Sequence, residues 1–501
     1  RQPLNTWLGT TDNNWQTASN WSTGAVPTNS THVVINSGAP NYTTSSGAVT
    51  VNSVTIASGA SLIAESTFTG AITYNRTLGT TNWYLMGSPV VGEQYDATWV
   101  SDNNIDETNG TGSNVGLSPS YNTSTDTWTY YNNSGTGTFG SGQGIAIKQD
   151  VAGTVSFTGT YNASDVTRSM STGGKGSFNI FGNPYPSYLA VNSNAAATNN
   201  LLSVNSANLT EETLWLWNQS EGFYQTVNQA SGAYYLAPTQ GFFISAANTN
   251  NFSFTEAMQS HQSTDSFQKP GPRPSIIIGA SNGVNQRKTE VYYISGTTTG
   301  FDNGYDGSIF GGVSDSFRVY TKTIDNSDGR RLAIQSLPDT NYEDMVIPIG
   351  LIAGSGEELT FTTEAMNLPS DIYVYIEDRA KETVTRLDDS SSTYKVTLDT
   401  SLNGTGRFYL HTKSSGVLST ESLALEGVAI YKANDNLIKV TGVHSQEAEV
   451  QLYNVLGQSV FSSSFSSSGN TEITLLNLKT GIYIAVLRTE KGRISKKMII
   501  E

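Results

Sequence analysis

Almost nowhere in these 501 residues does a 3.6-residue apolar stripe persist for ten positions, so layers of helices cannot frame the fold. Short alternating or continuously apolar runs recur instead, cut by polar turns, and 48 glycines with 10% aromatic residues suit that pattern. The expected fold class is all-β. One helix start is legible, Leu209-Thr210-Glu211-Glu212, and it soon gives way to the strand-like Leu214-Trp-Leu-Trp217.

Residues 1–80 read as solenoid-like strands. Val33-Val-Ile35, Val49-Thr-Val51 and Val54-Thr-Ile56 are short alternating strands with Gly-Ala turns, as in the coils of a β-solenoid or its cap. Trp7, Trp15 and Trp21 lie just upstream. Exposed, they would stack on sugar rings; the favoured reading is that they plug the open end of the stack.

Residues 81–268 contain an internal duplication. Trp83-Tyr-Leu-Met-Gly87-Ser-Pro89 aligns with Phe178-Asn-Ile-Phe-Gly182-Asn-Pro184 at an offset of 95. Gln143-Gly144-Ile-Ala-Ile147 aligns with Gln240-Gly241-Phe-Phe-Ile244 at an offset of 97, and Tyr131-Asn132 is matched to Trp217-Asn218 between them. Copies at 83–158 and 178–255 predict one pseudo-twofold β domain, because each half would bury its apolar face against its twin. The proline-rich run 269–274 reads as a linker. A third β domain, 275–412, has strand candidates at 275–278, 289–294, 316–320, 331–334, 358–361, 372–377, 394–398 and 406–411, which suits a jelly-roll or Ig-like sandwich. Residues 413–423, rich in Ser and Gly, form a second linker before a terminal module at 424–501.

That module shows two hairpins: 449–453 with 458–465 around a turn at 454–457, and 481–489 with 493–500 around a turn at 490–492. In the second, Ile482, Ile484 and Val486 alternate with Tyr483, Ala485 and Leu487, so both faces are expected to be covered. Val450-Gln-Leu-Tyr-Asn454, the turn at Gly457-Gln458, the Leu478-x-x-Gly481-Ile-Tyr483 step and the ending Lys496-Lys497-Met-Ile-Ile500 together resemble the type A C-terminal sorting domain of Bacteroidota type IX secretion cargo. The resemblance covers about 75 residues. It implies a seven-stranded Ig-like sandwich recognised by the outer-membrane translocon and its shuttle protein, with Gly457, Gly481, Tyr483, Lys496 and Lys497 as sorting-signal residues. It also implies removal by a sortase-like peptidase, for which 413–423 is the expected place, and attachment to surface lipopolysaccharide. Gly182-Asn-Pro-Tyr-Pro-Ser187 and Gln240-Gly-Phe-Phe243 resemble uncharacterised stretches that precede sorting domains in other surface proteins of that phylum, and this brings no activity with it.

Bulk chemistry agrees with export. Lys plus Arg number 27 against 42 Asp plus Glu, a formal charge of −15, which disfavours nucleic acid and anionic lipid as partners. The last strands run the other way, with Lys479, Arg488, Lys491, Arg493, Lys496 and Lys497. Cysteine is absent, so disulfides and thiolate chemistry are excluded. No apolar run approaches the ~20 residues of a membrane span. Because the first residue is Arg1, the chain is read as a mature or trimmed part of a longer precursor.

Catalytic constellations are poor. His32, His261, His411 and His444 fall in four regions and are expected as isolated surface or turn residues. Paired carboxylates for glycoside hydrolysis would come from Asp302, Asp306, Glu343 and Asp344, whose usual fate is a solvated turn. Calcium is the better cofactor candidate: Asp102, Asn104 and Asp106, then Asp302 with Asp306, then Asp325 with Asp328, place oxygen ligands at short spacings, though Asp and Asn also dominate turns for backbone reasons. The resulting expectation is a secreted or cell-surface protein with a structural or adhesive, non-catalytic body. The alternative is a glycan-binding or polysaccharide-degrading protein whose Trp128, Trp215 and Trp217 line an exposed groove.

Overall fold

The computed structural model describes residues 3–108, 114–219, 221–262, 273–313, 316–388, 392–414, 428–434, 436–454, 458–475, 478–489 and 492–500. The chain is all-β. Its short helices include Ala97–Asp102, capped by the Asp96 carboxylate on Trp99 N, and Leu201–Asn205, capped by Asn200 on Ser203 N. No helix follows at Leu209. Leu209 bridges to Ala246 and Thr210 N donates to the Ser245 carbonyl, so the neighbouring strand takes the backbone groups that a helix would have used.

At the N-terminus Leu4–Trp7, His32–Ile35, Val49–Ile56 and Phe68–Thr77 pair in parallel in one sheet, while Thr43–Ser45 and Leu62–Ala64 pair in parallel in another. Each circuit of the chain therefore adds one strand to a growing stack. Trp7, Trp15 and Trp21 are buried, meeting edge to face at centroid distances of 4.9 and 4.7 Å. The sheet does not end near residue 80. Thr154–Gly159 pairs antiparallel with Phe68–Thr77, and its Val155 and Phe157 enter one core that runs from Trp7 to Tyr161. The boundary expected at 80/81 is thus crossed, because the last parallel strand would otherwise leave apolar positions uncovered.

The two aligned segments share a register. Met86 sits opposite Ile145, and Phe181, 95 positions on, sits opposite Phe242, 97 positions on. Contacts between the segments come in exchanged pairs: Met86 bridges Gln240 while Phe181 bridges Gln143, and Gly87 N donates to the Thr239 carbonyl while Gly182 N donates to that of Gly142. Gly87 and Gly182 meet at the centre, where a Cβ on Gly87 would lie 2.7 Å from the Gly182 Cα. One correspondence differs from expectation. Ala146 faces Ser118 as Phe243 faces Trp215, so Leu117-Ser118 matches Leu214-Trp215. Tyr131 N donates to the Leu117 carbonyl, so Tyr131 lies across from the strand that corresponds to Leu214–Trp217 and not in it, and Tyr131-Asn132 does not match Trp217-Asn218. The aromatic identity at Tyr131 and Trp217 is a coincidence of neighbouring strands.

Residues 275–414 form one eleven-stranded sheet in place of two separate ones. It curls until Phe361 and Phe408 touch across it at 4.9 Å, and Tyr394 from one end strand donates to Asp378 near the other. A strand not anticipated, Val346–Ala353, lies centrally between Arg318–Thr321 and Leu402–Ser414. This sheet is keyed into the duplicated region. Phe310 enters an aromatic cage of Phe178, Trp215, Tyr224 and Phe243, and Arg330 Nη1 meets the Glu211 carboxylate at 2.6 Å.

The terminal module has five strands among the described residues, not seven. Leu437–Asn454 and Ser459–Thr474 are long, with register shifts at 440/443 and 445/448, and the first pairs at one end with Ala429–Asn434 and at the other with Gly481–Thr489. Long strands that bend thus do the work of pairs of short ones.

Candidate functional site

The terminal hairpin is built from Gly481–Thr489 and Gly492–Ile500, the latter at the sheet edge. Tyr483, Ala485 and Leu487 are buried, and Met498, opposite Tyr483, and Ile500, opposite Gly481, join the same core. The opposite face is not covered: Ile482 and Ile484 are 42% and 46% exposed. The expectation that both faces are covered fails among the described residues, because Ile482 and Ile484 point away from the core that Tyr483, Ala485 and Leu487 enter. Tyr483 is held from both ends, its ring in the core and its hydroxyl donating to the Lys479 carbonyl at 2.6 Å. At Gly481 a Cβ would sit 3.6 Å from Tyr483 Cε2, an ordinary van der Waals contact, so the ring by itself does not demand a glycine there. Lys496, opposite Ala485, and Lys497, opposite Ile484, are both exposed. By strand alternation they leave on opposite faces. Gly457 and the linker stretches 269–272 and 415–423 lie outside the described residues.

The expected cation ligands are engaged elsewhere. Asp106 is buried with Lys148 Nζ at 2.5 Å and accepts from Thr108 N and Oγ1; burial opposes, but the lysine and these bonds outweigh it and hold its pKa low. A site already neutralised by an ammonium offers little to calcium. Asp102 ends a helix and Asn104 adopts a positive φ of 51° as a turn residue. Asp302 accepts from Thr298, Asp325 from Thr299 Oγ1, and Asp328 pairs with Arg330 at 2.5 Å. Asp306 is buried and accepts from Asp302 N and Ser336 N; burial pushes its pKa up to about 7. Among the described residues no group of three His, Asp or Glu converges as a metal site. Glu343 is exposed in the turn Tyr342–Asp344, and the side chain of Asp344 is outside those described.

The three tryptophans do not form an open groove. Trp215 is 2% exposed, walls the Phe310 cage and donates to the Ser308 carbonyl at 2.8 Å. Trp128 and Trp217 are half-buried against the same cage, and Trp217 Nε1 donates to the Trp83 carbonyl. Phe310, which meets Trp215 at 5.9 Å, comes from another region of the chain, while Trp128 packs on Tyr121 and Phe243 and Trp217 on Tyr224. His261 is no surface residue either: Nε2 meets Thr44 Oγ1 at 2.9 Å and Nδ1 meets Ser61 Oγ at 2.8 Å, and burial lowers its pKa to about 4. His32 lies against Ser53 and His411 against Glu377, so these described histidines do not converge.

Residues 53–412 match the family described as Domain of unknown function (DUF8693). The chain belongs to that family. The match takes in the last part of the stack, the duplicated region and the curled sheet, the last two being the parts that Phe310 and Glu211 lock together. Residues 433–501 match the Secretion system C-terminal sorting domain, which marks this DUF8693 protein as type IX secretion cargo, exported to the medium or the cell surface. No curated protein matches the chain. No helix among the described residues is long and apolar enough to cross a membrane.

Proposed function

We propose that this cargo has a structural or adhesive body displayed at the outer surface of the cell, with the sorting domain handed to the translocon through its terminal hairpin. The observation that carries this reading is the Phe310 lock. A body whose regions are joined by a buried aromatic plug and a partly buried Glu211–Arg330 pair resists being pulled apart, as an adhesive element must. On this reading a sortase-like peptidase cuts within 413–423 and transfers the body to lipopolysaccharide. Mass spectrometry of the exported form tests the cut: a new C-terminus within 413–423 is expected, and an intact tail on every exported molecule contradicts it. Retention of cells on a coated surface under flow tests the body. Cells lacking the protein should detach faster, and equal detachment contradicts adhesion.

A second reading, glycan binding, draws support from a polar cleft walled by both copies of the duplicated region.

A further inference from the structure

A cleft of about 460 Å3 opens between the hairpin Ser120–Asn122/Thr127–Thr129 and the strands Val166–Ser169 and Phe178–Gly182. Its volume suits a small ligand. Its walls are mostly hydroxyls and amides, including Ser120, Thr129, Ser171 and Asn179. Most of this wall is fixed in advance. Asn179 is locked by bonds to both Ser171 N and the Ser171 carbonyl, Tyr121 donates to Asp126 at 3.1 Å, and Gln143 is clamped between Gly140 N and the Pro119 carbonyl.

Arg168 lines the same cleft. It is half-buried, and among the described residues no carboxylate pairs with it. The chain makes room for it: a Cβ on Gly140 would lie 2.7 Å from Arg168 Nη1, and one on Gly142 would lie 3.1 Å from its Cγ. Burial pulls its pKa down and no neighbouring acid counters that pull. The protein's other paired arginines show what is missing. Arg330, Arg379, Arg386 and Arg407 each meet an aspartate or glutamate at 3.1 Å or less. A partly desolvated guanidinium without an anion is unfavourable, and a planar carboxylate is the partner that its fork fits.

We propose that this cleft binds an acidic sugar, a pyranose bearing a carboxylate, with Arg168 taking the carboxylate and the hydroxyls of Ser120 and Thr129 taking ring hydroxyls. Ser120 and Thr129 face each other across the hairpin, which sets two hydroxyls side by side on one wall. The inference rests on the adhesive reading of the body and names the chemistry it would grip.

Titration calorimetry of the full chain with glucuronate, glucose and inorganic sulfate tests it. Glucuronate should bind at least about tenfold more tightly than either of the others. Arg168→Gln should lose at least about tenfold in glucuronate affinity, with its melting temperature unchanged. Thr129→Trp, at an exposed hairpin position, should block the cleft without touching the guanidinium, and it decides the matter should Arg168→Gln fail to fold. Glucose binding as tightly as glucuronate overturns the proposal, as does sulfate binding equally well, or full affinity in Arg168→Gln or Thr129→Trp. Surface retention of Arg168→Gln cells separates this idea from the one beneath it. Arg168→Gln cells retained as well as parent cells, with glucuronate binding lost, sink the cleft's part in adhesion, whereas parent cells retained no better than cells lacking the protein sink the adhesive reading.

Discussion

His261, half-buried, and Glu93, buried, are ionisable residues that pull the pH dependence of stability in opposite directions. The neutral His261 ring is held between two hydroxyls, with its pKa lowered from 6.5 to about 4 by burial. Its stabilising effect is complete above pH 6.5 and fades as pH falls through about 4. Glu93 has its pKa raised from 4.5 to about 7 by burial, against the backbone N–H groups of Thr158 and Gln94 that favour its charge. The protonated form is the better folded one, so stability is full below pH 4.5 and falls as pH rises through about 7. Glu93→Gln should therefore stabilise the protein at pH 8, by about 2 kcal/mol, and change little at pH 4. His261→Gln should flatten the loss between pH 6.5 and 4. Denaturant titrations at the stated pH values check both, and a Glu93→Gln variant no more stable at pH 8 contradicts the assignment. Neither role was legible in the sequence. The partners of His261 lie 217 and 200 positions away, and no local pattern announces a contact at such range.

The terminal hairpin shows what local patterns do and do not reveal about an element. Its turn and period-two alternation are plain in the sequence, as are Tyr483 and the two lysines, but alternation of two apolar sets cannot say which set meets a core. Tyr483→Ala should cost ~3 to 5 kcal/mol and melt the module, because a buried ring and a 2.6 Å hydroxyl bond are both lost. Lys496→Glu with Lys497→Glu should leave melting nearly unchanged, since both are exposed, yet block export if the translocon machinery reads the charge of this edge. Normal export of the double variant would show that recognition runs elsewhere. The central strand Val346–Ala353 escaped notice for a physical reason: Pro348 and Gly350 interrupt it, residues that ordinarily argue against an inner strand. The structure accommodates them with a register shift between Ile349 and Leu351, and the Tyr320 ring lies over Gly350, where a Cβ would meet it at 2.1 Å.

At the scale of the whole molecule, all-β character and the repeat offsets of 95 and 97 follow from residue spacing, because a shared register keeps spacing intact. The interlocks do not, since Phe310 and Arg330 pair with residues that only the folded chain brings near. Phe310→Ala should cost ~3 to 5 kcal/mol by emptying the cage of Phe178, Trp215, Tyr224 and Phe243. It should also let the duplicated region and the curled sheet melt separately, which calorimetry would show as two transitions where the parent shows one for the body; a single unchanged transition contradicts the lock. Export, by contrast, is assigned to residues outside that body. The most direct test removes residues 428–501 and follows the chain by fractionation, while the same segment is fused to a foreign reporter. The truncated protein should stay in the periplasm and the reporter should reach the medium or cell surface; secretion of the truncated protein would contradict the account.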